Sequence, residues 1–288
     1  MLSSLVRGKM SEKGKKFKVR TFSTKERAYW GFASFGGALI NGIYASLLPI
    51  FYTDYLGLVE SANLIYIVSI VYGIWNAIND PLFGVLSDRS RSEKGRRIPL
   101  MRYTAPFLAL FFILIWFSPT SPRIAIFWWM LITTLLYDPA YTIIFLMFSA
   151  LLPEITESEQ ERNGLQTFGS FFSMIGTVLG FVIPELFRHQ TDLLPLQMAM
   201  VGVGVVGMTF IMFTTYQFKE RPEFSQMDEP LGFVDSIKYT FKSKSFVVLV
   251  IANFMSIFVQ SLILGSIFYL GDYIVETSSI ILLVFVIV

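Results

Sequence analysis

Two aspartates and several amides stand where an apolar chain has no ordinary use for them. Asp80 closes the stretch Gly-Ile-Trp-Asn-Ala-Ile-Asn-Asp that begins at Gly73, and Asp138 follows Tyr137 in a second apolar run. On a helix of about 3.6 residues per turn, Gly73, Asn76, Ala77, Asp80 and Gly84 fall on one narrow face. Val71, Ile74, Ile78, Leu82 and Val85 fall on the opposite one. A carboxylate turned toward hydrocarbon is costly, so Asp80 is expected to face protein or a wet cavity, where oxygen ligands can hold a small cation. Thr134, Asp138, Tyr141, Thr142, Phe145 and Ser149 share a second such face, with Pro139 able to loosen the backbone beside the carboxylate. Three further stripes are Ser34, Ala38, Asn41 and Ala45; Gln166, Ser170, Ser173 and Thr177; and Asn253, Ser256 and Gln260. Five polar stripes point to a shared cavity. The competing reading is that such residues join helices through hydrogen bonds and close small-residue packing.

The elements that must carry these stripes follow from composition. Of 288 residues, 54% are hydrophobic and only 15% charged, and a soluble domain of this size exposes far more charge. Several apolar runs reach the roughly 20 residues needed to cross a bilayer core of about 30 Å. Spans are expected at 29–54, 61–87, 99–118, 124–151, 164–186, 195–217 and 245–272, with an eighth beginning near Ser278. The fold class is therefore an all-α polytopic membrane protein. With no cysteine in the chain, disulfides and thiolate metal sites are excluded. If the N-terminus is inside, 21 of the 23 Lys and Arg lie on the inner side, and only Arg123 and Arg188 lie outside.

This gives four regions: a basic cytoplasmic tail over 1–28, a six-helix transmembrane bundle over 29–217, a cytoplasmic linker over 218–244, and the start of a second bundle over 245–288. In the linker, Phe233, Val234, Ile237 and Phe241 recur at helical spacing beside Lys238 and Lys242, as in a helix lying on a membrane surface. Six spans, a linker and further spans is the layout of a carrier built from two halves, which makes the 288 residues part of a longer, twelve-helix protein.

Enzyme chemistry has no foothold. The single histidine, His189, falls in a predicted outer loop with Arg188 and Asp192 and reads as a surface residue. The glycines of Val-Gly-Val-Gly-Val-Val-Gly at 201–207 lie inside a span, with no preceding strand. Glu154, Glu157, Glu159 and Glu161 with Arg162 are read as a solvated loop in preference to a metal loop. The basic tail suits anionic lipid or topology control better than nucleic acid.

The loop Gly-Val-Leu-Ser-Asp-Arg-Ser-Arg-Ser-Glu-Lys-Gly-Arg-Arg, from Gly84 to Arg97, resembles the cytoplasmic signature loop of the major facilitator superfamily. With Trp75–Gly84, Phe51–Leu58 and Leu151–Leu165 it is similar to the glycoside-pentoside-hexuronide:cation symporter branch, which includes the sodium/melibiose permease and is related to sodium-coupled lysolipid carriers. The resemblance covers about residues 25 to 288. It implies a major facilitator fold: the N-terminal six-helix bundle and the first one or two helices of the C-terminal bundle, rocking around a central cavity. It also implies a secondary active transporter in the plasma membrane, a monomer when complete, with its N-terminus cytoplasmic and no cofactor beyond a coupling Na+ or H+. The cargo would be a small organic solute, a sugar or glycoside; the alternatives are a lysolipid carrier on the same fold or a non-transporting receptor or scaffold.

Carried over by position, the resemblance places the cation at Asp80, Asn76 and Thr142, with Asn76 standing where melibiose-type carriers have a first aspartate. Sodium would pair with the Asp80 carboxylate, and a proton would neutralise it. The family's sugar-binding acids fall at Ala38 and Phe145 and its arginine at Ser170, so that clamp is missing, and Asp138 is the expected substitute for the lost acid. The substrate cavity is expected from Asn41, Asp138, Tyr141, Phe145, Gln166, Ser170, Asn253 and Gln260. Gly84, Asp88, Arg89, Gly95, Arg96 and Arg97 form the gating loop, in which Asp88 pairs with arginines in one conformation.

Overall fold

The structure is a computed structural model and describes residues 21–58, 62–89, 95, 97–187, 192–220 and 241–270. Seven long helices follow one another in these residues: α1 (Thr24–Ile50), α2 (Ala62–Arg89), α3 (Ile98–Trp116), α4 (Arg123–Ile155), α5 (Glu159–Glu185), α6 (Leu194–Gln217) and α7 (Lys244–Leu270). They match the seven apolar runs to within a few residues, because the length of each run is set by the thickness of hydrocarbon it must cross.

Where the helices depart from those runs, polar capping is the reason. The Ser23 hydroxyl accepts from the Glu26 amide while the Glu26 carboxylate accepts from the Ser23 amide at 2.9 Å, a reciprocal cap that starts α1 at Thr24. Ser158 caps α5 by accepting from the Glu161 amide at 3.4 Å, so α5 begins five residues before its apolar run. Glu161 then receives the Phe22 amide at 3.0 Å and Arg27 at 3.2 Å. The tail expected over 1–28 is therefore folded onto the bundle from about residue 21. At its other end α1 passes Pro49, which has no amide to donate, and the chain widens into a π-helical turn over Phe51–Tyr55. Thr53 follows the widened turn by donating back to the Pro49 carbonyl at 2.8 Å.

Helix α1 is the hub. Its small residues meet small residues of α5: a Cβ on Gly176 would lie 2.6 Å from the Phe35 carbonyl oxygen, and one on Gly180 would lie 2.9 Å from the Gly42 Cα. On its other side Gly36 crosses Gly207 of α6 as closely. Bare backbones in contact are the usual way for helices to associate in lipid, where hydrophobicity alone favours no pairing. The remaining contacts complete an arc, with α3 lying against α4 and α6, and α2 leaning chiefly on α4.

Both ends of α3 are completed by other helices. Its last carbonyls accept from Tyr52 (2.9 Å to Ile115), Trp129 (2.8 Å to Leu114) and Gln197 (3.0 Å to Trp116). At its start, the Glu220 carboxylate accepts from the Arg97 amide at 2.7 Å and from the Ile98 amide.

Two expectations about faces are corrected here. On α2, Gly73 has nothing near it and Ala77 is exposed; the covered strip runs instead through Val68, Tyr72, Asn76 and Asn79. The greasy side is uncovered as expected, with Ile74, Ile78 and Leu82 each more than half exposed. Glu154 and Glu161 are buried, not solvated, because each has a cationic partner: Arg97 lies 2.9 Å from Glu154 and Arg27 lies 3.2 Å from Glu161. Residues 221–240 of the expected amphipathic segment lie outside the described part; Phe241 and Lys242 at its end are helical and exposed.

Candidate functional site: a polar seam and a cavity that share one helix

The seam runs between α2 and α4. Asp138 accepts hydrogen bonds from the Tyr72 hydroxyl (3.1 Å) and the Asn76 amide (3.0 Å) on one oxygen, and from the Asn79 amide on the other. The Asn79 amide also lies 3.4 Å from the Thr142 hydroxyl, which donates to Asp80 at 3.1 Å. Both carboxylates thus belong to one hydrogen-bonded chain. Asn79 is wholly buried, Asp138 is 5% exposed and Asp80 is open to its surroundings. Every donor to Asp138 is neutral. The carbonyl oxygen of Asn79 is buried without a hydrogen-bond partner, a lone acceptor beside two carboxylates and a hydroxyl. Among the described residues no three His, Cys, Asp or Glu side chains gather as a metal site. The donor set is instead carboxylate, amide and hydroxyl oxygen, which suits a hard cation.

The cavity adjoins the same face of α4, along the edge formed by Tyr141, Phe145 and Ser149, and has a volume of about 930 Å³. One wall is aromatic, made by Tyr141, Phe145 and Phe148 of α4. Helix α5 supplies Gln166, Ser170, Ser173 and Thr177 together with the apolar Met174 and Phe181, and α1 supplies Ser34, Ala38, Asn41 and Ala45. All four residues of the α1 stripe and all four of the α5 stripe face this space. The rings of this wall touch one another, with Tyr141 tilted against Phe145 at 4.5 Å between ring centres, and Phe148 is backed by Trp30 stacked at 4.1 Å. No charged side chain is among the described residues that line it.

Of the residues expected in the cavity, Asn41, Tyr141, Phe145, Gln166 and Ser170 line it. Asp138 does not: it is turned into the α2 seam, where three donors on α2 satisfy it. Asn253 is exposed, and the α7 residues at the rim are Ser256 and Val259. The Gln260 side chain lies outside the described part. Sequence reasoning missed Tyr72 and Asn79, although an asparagine three residues from Asn76 in an apolar run was a usable signal.

A third cluster ties the basic loop to the bundle. Gly95 has a φ of 106°, and a Cβ there would lie 2.9 Å from the Glu220 carboxylate, so both backbone and space call for glycine. Arg97 pairs with Glu154 at the end of α4, and Arg102 donates to the Thr215 carbonyl at 2.9 Å while covering the Tyr216 ring. A Cβ on Gly84 of α2 would lie 3.8 Å from the Leu146 side chain. The side chains of Asp88 and Arg89, and all of Arg96, lie outside the described part.

Five of the described helices are long and apolar enough to cross a membrane, and large apolar side chains cover their outer faces. The molecule is a multi-pass membrane protein in which Asp138 and Asn79 are buried, whereas Asp80, expected to face protein or a wet cavity, is exposed apart from its contact with Thr142. Residues 29–288 match the family described as MFS/sugar transport protein. The chain is 31% identical over 209 residues to an uncharacterised symporter of Synechocystis, covering 69% of this chain and 38% of that protein. It is 24% identical to the isoprimeverose transporter of Lactiplantibacillus pentosus, over 80% of this chain and 49% of that one. It is 30% identical to the human sodium-dependent lysophosphatidylcholine symporter 1, over 44% of this chain and 23% of that one. The chain belongs to the MFS/sugar transport family of the major facilitator superfamily, whose members are transporters and not enzymes. This upholds the resemblance drawn from the loop motifs. The matched stretch spans less than half the length of each of these relatives.

Proposed function

We propose that the chain is the cation-binding and much of the solute-binding part of a secondary transporter that couples inward movement of Na+ or H+ to uptake of a small organic solute, a sugar or glycoside. The observation that carries this reading is that α4 faces both sites: Asp138 and Thr142 look into the α2 seam, and Tyr141, Phe145 and Ser149 look into the cavity. An ion that settles the seam in one arrangement also settles the cavity wall. Coupling needs no more than that difference in affinity between two arrangements. A carboxylate surrounded by neutral donors in a low-dielectric seam gains from a neighbouring cation. The cation ligands in this reading are Asp80, Thr142 and the lone Asn79 oxygen, with Asp138 as the nearby second charge and Asn76 holding Asp138 in place.

We place the protein in the plasma membrane with its N-terminus cytoplasmic, on the distribution of basic residues. The basic loop and its Glu154 and Glu220 contacts then lie on the inner side, where they would hold α2, α3, α4 and α6 together while the halves rock. A lysolipid cargo is favoured by the aromatic wall and by the name of the human relative. It is disfavoured by the absence of charge among the described lining residues, which offer a phosphodiester no counter-ion. Uptake into vesicles under imposed Na+ and pH gradients, tested with glycosides, uronides and lysophosphatidylcholine, decides among these. Uptake of a glycoside that rises with one gradient supports the reading, and uptake indifferent to both gradients overturns it.

A further inference from the structure

The cavity is two-faced in a way that names its ligand more closely. Its α4 wall is mainly contacting rings, and its α5 wall carries an amide and three hydroxyls, with Met174 and Phe181 beside them. Phe145 lies at the centre of the aromatic wall, and its place depends on a residue on another helix. A Cβ on Gly37 would collide with the Phe145 ring, so the ring edge rests directly on the α1 backbone. From there the ring leans on Tyr141 at 4.5 Å and meets Phe148 edge-on at 6.3 Å. The ring therefore cannot retreat toward α1 to admit bulk, and it offers its open side to the cavity.

We propose that this cavity prefers uncharged solutes in which a flat apolar ring is joined to a hydroxylated part, an aryl glycoside being the representative, and that Phe145 seated on Gly37 sets this preference. The proposal rests on the cavity being the solute site of the transport reading. The apolar ring stacks on Phe145 and Tyr141, and the hydroxyls meet Gln166, Ser170 and Thr177 across the cavity. Stacking of one ring on another adds about three- to tenfold in affinity beyond simple burial. A charged solute would enter a space in which no described lining residue balances its charge.

The test uses the protein in nanodiscs and matched pairs of 4-nitrophenyl and methyl glycosides of glucose, galactose and xylose, with binding read by isothermal calorimetry. For a sugar that binds, the nitrophenyl form is expected to bind three- to tenfold tighter, about the increment of one stacked ring. F145A should erase that ratio, whereas F145W should preserve it. G37A should lower affinity by driving the ring into the cavity, and the G37A/F145A double variant should bind no worse than F145A alone, since the collision is gone. A ratio near one in the unaltered protein, or a ratio that survives F145A, overturns the proposal while leaving sugar transport standing. If no glycoside binds and lysophosphatidylcholine does, both the proposal and the sugar reading fall. If neither class binds, the transport reading itself fails at this cavity.

Discussion

Asp138 holds its place through three donors from a single neighbouring helix, and this makes its charge easy to test. In D138N the new amide must direct an N–H toward groups that already donate, so at least one hydrogen bond is lost, at about 1–3 kcal/mol. The expected outcome is a lower unfolding temperature in detergent and uptake that no longer responds to Na+ or pH gradients. Full gradient-driven uptake by D138N would remove Asp138 from the coupling scheme. T142V deletes the hydroxyl that bridges Asn79 and Asp80. It should raise the cation concentration needed for half-maximal uptake by about tenfold, the equivalent of roughly 1.4 kcal/mol. At this scale the sequence was partly legible. Asn76, Asp80, Asp138 and Thr142 announce themselves because a membrane helix has few other reasons to carry them. Asn79 and Tyr72 did not, because the face that α2 buries is chosen by where Asp138 waits on α4, and α2 by itself does not contain that information.

The helices themselves were legible almost residue by residue, since hydrocarbon thickness dictates the apolar lengths. Their ends were less so. Ser23 and Ser158 carry α1 and α5 outward past the apolar runs, and Glu154 and Glu161 looked like loop residues until Arg97 and Arg27 were found opposite them. Two predictions belong here. In G176V the side chain starts 2.6 Å from a backbone oxygen of α1, which cannot move aside. Overpacking of this kind costs about 1–3 kcal/mol, so the thermal midpoint of G176V should fall, with V178A as the control at a neighbouring position. E154Q leaves the partly buried Arg97 beside a neutral amide, a loss of about 3 kcal/mol, and should reduce the folded yield in the membrane at least as much as G176V does.

For the whole molecule, the polar stripes on α1 and α5 converge on one cavity as their spacing suggested, but the division of labour around α4 could not be read from any helix alone. The sequence placed Asp138 among the cavity residues because it shares a face with Tyr141 and Phe145; the bundle turns that face so that its edges serve two sites. Orientation can be checked directly, because the chain has no cysteine of its own. A cysteine at Ser158 should react with an impermeant maleimide only after the membrane is opened, and one at Thr120 should react in intact cells. The opposite pattern would invert the molecule in the bilayer.

The capping of α3 has a consequence for how the protein is made. Its carbonyl end waits for Gln197 and its amide end for Glu220, residues that leave the ribosome long after α3 has entered the membrane. The third helix is therefore laid down unfinished and sealed only when the sixth arrives. A nascent chain halted before Glu220 would present bare amides at a membrane edge, a natural handle for quality control.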